Sequence, residues 1–134
     1  MIVKKDTPYV YYELDDQVLF ATYKKGLRIN GAIARQIVQD RLAFTGNKPV
    51  VALVYNLGVI SMDKEARDFL SSPSGNKGLI AGAIVLDSVF SITLSNFFLS
   101  VNRPNIPSKI FRDTKDALKW LQQFLDGSKT AHRE

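Results

Sequence analysis

The chain contains no cysteine, and its single histidine, His132, lies close to the C-terminal end. Without cysteine there is no disulfide, no thiolate metal ligand and no cysteine nucleophile. With one terminal histidine, a Ser-His-Asp triad, a multi-histidine metal centre and a histidine general base are all unsupported. No dinucleotide fingerprint or Walker loop is present. The stretch "PSGNKG" at 73–78 has the glycines of a phosphate loop but lacks its Lys-Ser/Thr ending. The carboxylate pair Asp15/Asp16 falls between two strand-like runs and reads as a turn. The sequence therefore implies no catalytic residue, no metal and no cofactor.

Long hydrophobic runs are also missing. The opening "MIVKKDTPYV" has two lysines with no apolar run behind them, so it does not read as a secretory signal. The longest weakly charged stretch, Leu79 to Asn102, is interrupted by Asp87 and dotted with Ser, Thr and Asn. It divides into a strand and a helix better than it makes one spanning segment. The expectation is a soluble, cytoplasmic protein with no stable membrane insertion.

What is present is ordinary for a globular chain. At 134 residues the length suits one domain, and 46% hydrophobic content can build a core without staples. The net charge of +5 attracts anionic partners at long range. The basic residues are nevertheless spread out, with clusters only at Lys4/Lys5 and Lys24/Lys25/Arg28, and they read as a solvated surface. Tyr9, Tyr11, Tyr12 and Tyr23, near Lys24 and Lys25, could stack bases. Aromatic residues are also good strand formers, and nucleic acid is not expected as a partner.

Alternation in "PYVYYELDDQVLFATYK" predicts a hairpin turning at Asp15-Asp16. Asn30 is placed to cap a helix to about Phe44, with Ile33, Ile37, Val38 and Leu42 at helical spacing and Gly46-Asn47 after it. The continuous apolar runs Val50–Tyr55 and Leu79–Leu86 suit strands covered on both faces. Between them Asp63 caps a helix with Ala66, Phe69 and Leu70 on one face, ending before Pro73. A third helix is predicted over Ser88–Asn102, a short strand at "SKIF", and a fourth helix capped by Thr114 with the stripe Ala117, Leu118, Leu121, Phe124 and Leu125. Residues 1–126 make the domain and 127–134 a flexible C-terminal tail. The order β-β-α-β-α-β-α-β-α predicts an α/β fold with a mostly parallel central sheet, an antiparallel hairpin at its start and four helices.

This layout, and above all "VVALVYNLGVISMD" leading into a helix, resembles the STAS domain in its small, stand-alone SpoIIAA-like form, the fold of anti-sigma factor antagonists. Asn56-Leu57 match the family's Asp-Leu, Gly58-Val59 its Gly-Val, and Met62-Asp63 its apolar residue and aspartate. The Ser-Ser-Gly that follows in antagonists is replaced by Lys64-Glu65-Ala66, so the phosphorylatable serine is absent. "RQIVQDRLAF", "KEARDFL", "SNFFLSVNRP" and "KIFRDTKDALKWL" look closest to small bacterial STAS-like proteins of unknown function. The resemblance implies a non-enzymatic regulatory module acting by protein–protein contact, with a homodimer as one form of it.

Two candidate surfaces follow. The first is the helix start Ser61, Met62, Asp63, Lys64, Glu65 and Arg67. Its positive helix end is already answered by the Asp63 and Glu65 carboxylates, so capping and partner contact are better readings than anion binding or catalysis. The second is the uncharged third helix, where Phe90, Leu94, Phe97, Phe98 and Val101 form one stripe. That stripe fits burial in the monomer, an interface, or a site for a lipid or small apolar ligand, the alternative function.

Overall fold

The computed structural model describes residues 2–56, 58–86 and 104–133, with side chains as far as Leu125. Eight strands and three helices occur among them: β1 (Ile2–Asp6), β2 (Val10–Asp15), β3 (Val18–Tyr23), β4 (Arg28–Ile29), α1 (Gly31–Thr45), β5 (Val50–Asn56), β6 (Ser61–Met62), α2 (Lys64–Ser71), β7 (Leu79–Val85), β8 (Ser108–Phe111) and α3 (Thr114–Arg133). The main sheet has the order β1-β2-β3-β5-β7-β8. β2 runs antiparallel to its neighbours β1 and β3, while β5, β7 and β8 extend the sheet in parallel from β3. The α/β class and the mostly parallel sheet are as the sequence predicts. Of the four expected helices three are described; the one expected over 88–102 falls in 87–103, outside the described residues.

Side-chain alternation divides the sheet between two cores. Val10, Tyr12, Leu19 and Ala21 pack with Ala34 and Ile37 of α1 and Ala66 of α2. Val51, Leu53, Ala81 and Ala83 face the other way, against Ala117, Leu121 and Leu125 of α3. Consecutive residues of β5 thus serve opposite layers, and a strand buried on both faces needs a continuous apolar run.

The helix ends follow local chemistry. Asn30 Oδ1 accepts the Ile33 N–H at 2.8 Å at the start of α1. Gly46, at φ 64°, closes that helix by donating its N–H to the Leu42 carbonyl. The predicted Thr114 cap is corrected: Asp113 Oδ1 accepts the Asp116 N–H at 2.8 Å, while the Thr114 hydroxyl lies 2.8 Å from that of Tyr55. A carboxylate is the stronger acceptor, and the Thr114 hydroxyl already has a partner in Tyr55 of β5. The hairpin turns on Asp16-Gln17, with Asp16 at φ 55° and Asp15 still paired to Val18. The backbone of α3 stays helical to Arg133, beyond the predicted end, since nothing after Leu125 lacks an N–H to propagate it.

Candidate functional site

The turn from β5 to α2 is fastened at several points. Asn56 Oδ1 accepts the N–H groups of Gly58 at 3.0 Å and Val59 at 2.8 Å, folding the chain back as β5 ends. Gly58 has φ 146°, a conformation that a side chain would strain. β6 then pairs in parallel with β4, Arg28 opposite Ser61 and Ile29 opposite Met62, forming a small second sheet. The Asp63 N–H donates to the Ile29 carbonyl at 3.1 Å, and Asp63 Oδ1 accepts the Ala66 N–H at 2.8 Å. The predicted cap is present. Leu57 lies outside the described residues.

Glu65 has a role that spacing alone does not show. Its Oε1 accepts from Arg35 Nη1 at 2.8 Å, and its carboxyl group lies where a Cβ on Gly31 would stand. α1 has no acidic residue in its own first turn, so Glu65 supplies the negative charge that its positive end favours. Arg35 also lies 5.1 Å above the Phe69 ring in the second half of α2, adding a second contact between the two helices. Lys64 reaches along α2 to Asp68, at 2.7 Å. Ser61, Asp63, Lys64 and Glu65 are exposed, as is Ile60, a large hydrophobic residue at 49% exposure that the sequence reading left out.

Met62 and Arg67 turn inward instead. Arg67 Nη1 donates to the Met62 carbonyl at 2.6 Å, and both residues line a pocket of about 410 Å³ between the helices and the sheet. Its floor includes Ala52, Val54, Gly82 and Ile84. By strand register Ala52 stands beside Gly82 and Gly82 beside Ser108, one row on the face that carries α1 and α2. Among the described residues, nothing lies within 4 Å of where a Cβ on Gly82 would stand. Pro104, the first described residue after 87–103, also lines the pocket. The second candidate set, Phe90, Leu94, Phe97, Phe98 and Val101, lies outside the described residues.

The pocket contains a buried cation. Arg41 is 6% exposed, yet Nη1 donates to the Lys77 carbonyl at 2.8 Å and Nη2 to that of Gly75 at 3.0 Å. Desolvation lowers its pKa below the ordinary arginine value, partly countered by Tyr23 and Tyr12. Burial likewise raises both tyrosine hydroxyls above their ordinary 10.0. Arg67 Nε is buried with no acceptor among the described residues. The sequence carries one signal for Arg41, since it stands four residues after Ile37 on the apolar side of α1. Gly82 is signalled too, as an isolated glycine inside a strand. Among the described residues no group of three or more His, Cys, Asp or Glu could hold a metal ion, and no helix is long and apolar enough to cross a membrane.

A sequence family described as "Domain of unknown function (DUF7793)" matches residues 12–125. No curated protein matches the chain. Among solved structures, an uncharacterized protein of the DUF3478 family with a SpoIIAA-like fold, from Shewanella loihica PV-4, superposes with a TM-score of 0.51. That match covers 90% of this chain and 92% of the other at 18% identity, a likeness of fold alone.

Proposed function

The chain belongs to the family described as a domain of unknown function (DUF7793), and from that premise and its SpoIIAA-like fold we propose a non-enzymatic, STAS-like regulatory module that acts by contact with a protein partner. The observation that carries this reading is the exposed run Ile60, Ser61, Asp63, Lys64 and Glu65 at the start of α2. The backbone beneath it is pinned by β4 and by the Asp63 cap, so its exposed groups are presented in a fixed arrangement. A rigid surface binds with little ordering cost. On the resemblance to antagonist-type domains, Lys64-Glu65-Ala66 stand in place of Ser-Ser-Gly, and the proposed contact works without the phosphorylatable serine. A second copy of the chain is one form the partner can take.

The test is a photo-crosslinking amino acid placed at Ile60 in the intact protein inside its own cells, with Lys119, exposed on α3, as the control position. The reading predicts one discrete adduct from Ile60 and none from Lys119. Equal patterns from both positions, or no adduct from Ile60, contradict it.

The pocket supports a second reading, the binding of a lipid or small apolar ligand. Its volume of about 410 Å³ and its Ile, Val, Met and Leu lining suit such a molecule.

A further inference from the structure

We infer that the pocket beneath α1 and α2 takes an amphipathic anion, with its apolar body on the sheet floor and its carboxylate or phosphate-type group at the Arg67 guanidinium. This inference rests on the second reading above and specifies the ligand's charge. Two arginines, Arg41 and Arg67, line the pocket, and no aspartate or glutamate is among its described lining residues. Such a cavity is apolar in shape and positive in charge.

The two cations differ in what they offer. Arg41 spends both Nη atoms on the carbonyls of Lys77 and Gly75, so it contributes charge and holds the 73–78 loop against α1. Arg67 gives Nη1 to the Met62 carbonyl and keeps Nε without an acceptor among the described residues. A guanidinium has five N–H donors, and an anion beside it gains charge-assisted hydrogen bonds in a weakly screened setting. Among the described residues Gly82 leaves room on the floor for an apolar chain, while Val54 and Ile84 flank it in neighbouring register. A neutral ligand would fill the same space and leave the positive charge unanswered.

Calorimetric titration of the full chain with decanoate, decyl phosphate and decan-1-ol tests this directly. The wild type should bind at least one of the two anions about tenfold or more tightly than the alcohol, the size expected for a charge-assisted contact. Binding of decanoate alone assigns a carboxylate, and of decyl phosphate alone a phosphate monoester. Arg67→Met should bring the anions to the level of the alcohol, and Arg67→Lys should keep part of the preference. Gly82→Leu, built into open floor, should abolish binding of all three probes.

Equal affinity for alcohol and anions overturns the charge assignment while leaving the apolar-ligand reading in place. Unchanged binding in Gly82→Leu shows that the site is elsewhere and overturns the inference. Binding of none of the three overturns both statements, and is the result if the chain's own residues fill the pocket in solution. The wild-type comparison decides the ligand's charge however well Arg67→Met folds.

Discussion

The Glu65 carboxylate lies against the backbone of Gly31, the first residue of α1, and receives Arg35 Nη1 at 2.8 Å. A residue read from spacing as a second carboxylate at the start of its own helix thus also serves the start of the neighbouring one. Both partners are well exposed, at 49% and 62% of their side-chain surface, so the pair contributes modestly. A double-mutant cycle with Arg35→Met and Glu65→Gln should give a coupling of about 0.5 kcal/mol that shrinks with added salt. In a Gly31→Ala background the new methyl displaces the Glu65 carboxyl group, and the coupling should vanish. A coupling that survives Gly31→Ala contradicts this arrangement.

Arg41 matters more to stability, because it joins α1 to a loop more than thirty residues away, with Gly75 held close to the Phe69 backbone carbonyl. Arg41→Met should cost about 2–4 kcal/mol in urea unfolding, since two carbonyls lose their buried donor. Gly75→Ala should cost about 1–3 kcal/mol through a clash with backbone, which cannot rotate away. Wild-type stability in either variant would show that this loop is not fixed as described.

Thr45 offers the opposite case. It is 3% exposed, and its hydroxyl has no hydrogen-bond partner among the described residues. Thr45→Val keeps the shape and removes a buried polar group, so it should stabilise the protein by about 1 kcal/mol. A loss of stability would mean that the hydroxyl is satisfied in solution.

Tyr12 and Tyr23 set the alkaline limit. Burial raises both above the ordinary 10.0, and the Tyr12 hydroxyl donates to the Ile37 carbonyl at 3.2 Å. Above about pH 10 the unfolded chain loses these two protons while the folded chain keeps them. The folded state then binds more protons, and stability falls as pH rises, by about 1.4 kcal/mol per pH unit for each tyrosine. Arg41, lowered by burial, acts in the opposite sense at still higher pH, so the fall is steepest just above pH 10. Urea midpoints should be insensitive to these groups up to about pH 9 and decline beyond about pH 10, with a shallower decline in Tyr23→Phe. An equal decline in that variant contradicts the assignment.

Much of this architecture was legible because it is local. Asn30 and Asp63 are caps read from residue type and position, and β5 and β7 are apolar runs of strand length. β1 was missed because all five of its residues are exposed, so no alternation marks an inner face. β4 and β6 have two residues each and exist only through pairing across more than thirty positions. Thr114 and Asp113 are both acceptable caps by type, and the choice is made by Tyr55, far away in the sequence. The pocket was not legible for the same reason, since Arg41, Arg67 and Gly82 come from three separate elements.

The contact surface proposed at the start of α2 is the centre of the functional account. Its most direct test is the crosslink yield from Ile60 in a Lys64→Glu background, on protein whose urea unfolding is measured alongside. Lys64 is among the most exposed residues of α2, so its reversal should alter stability by no more than about 0.5 kcal/mol. The account predicts a stable protein whose Ile60 adduct is lost. An adduct formed in undiminished yield by an equally stable variant would show that partners do not dock at this surface.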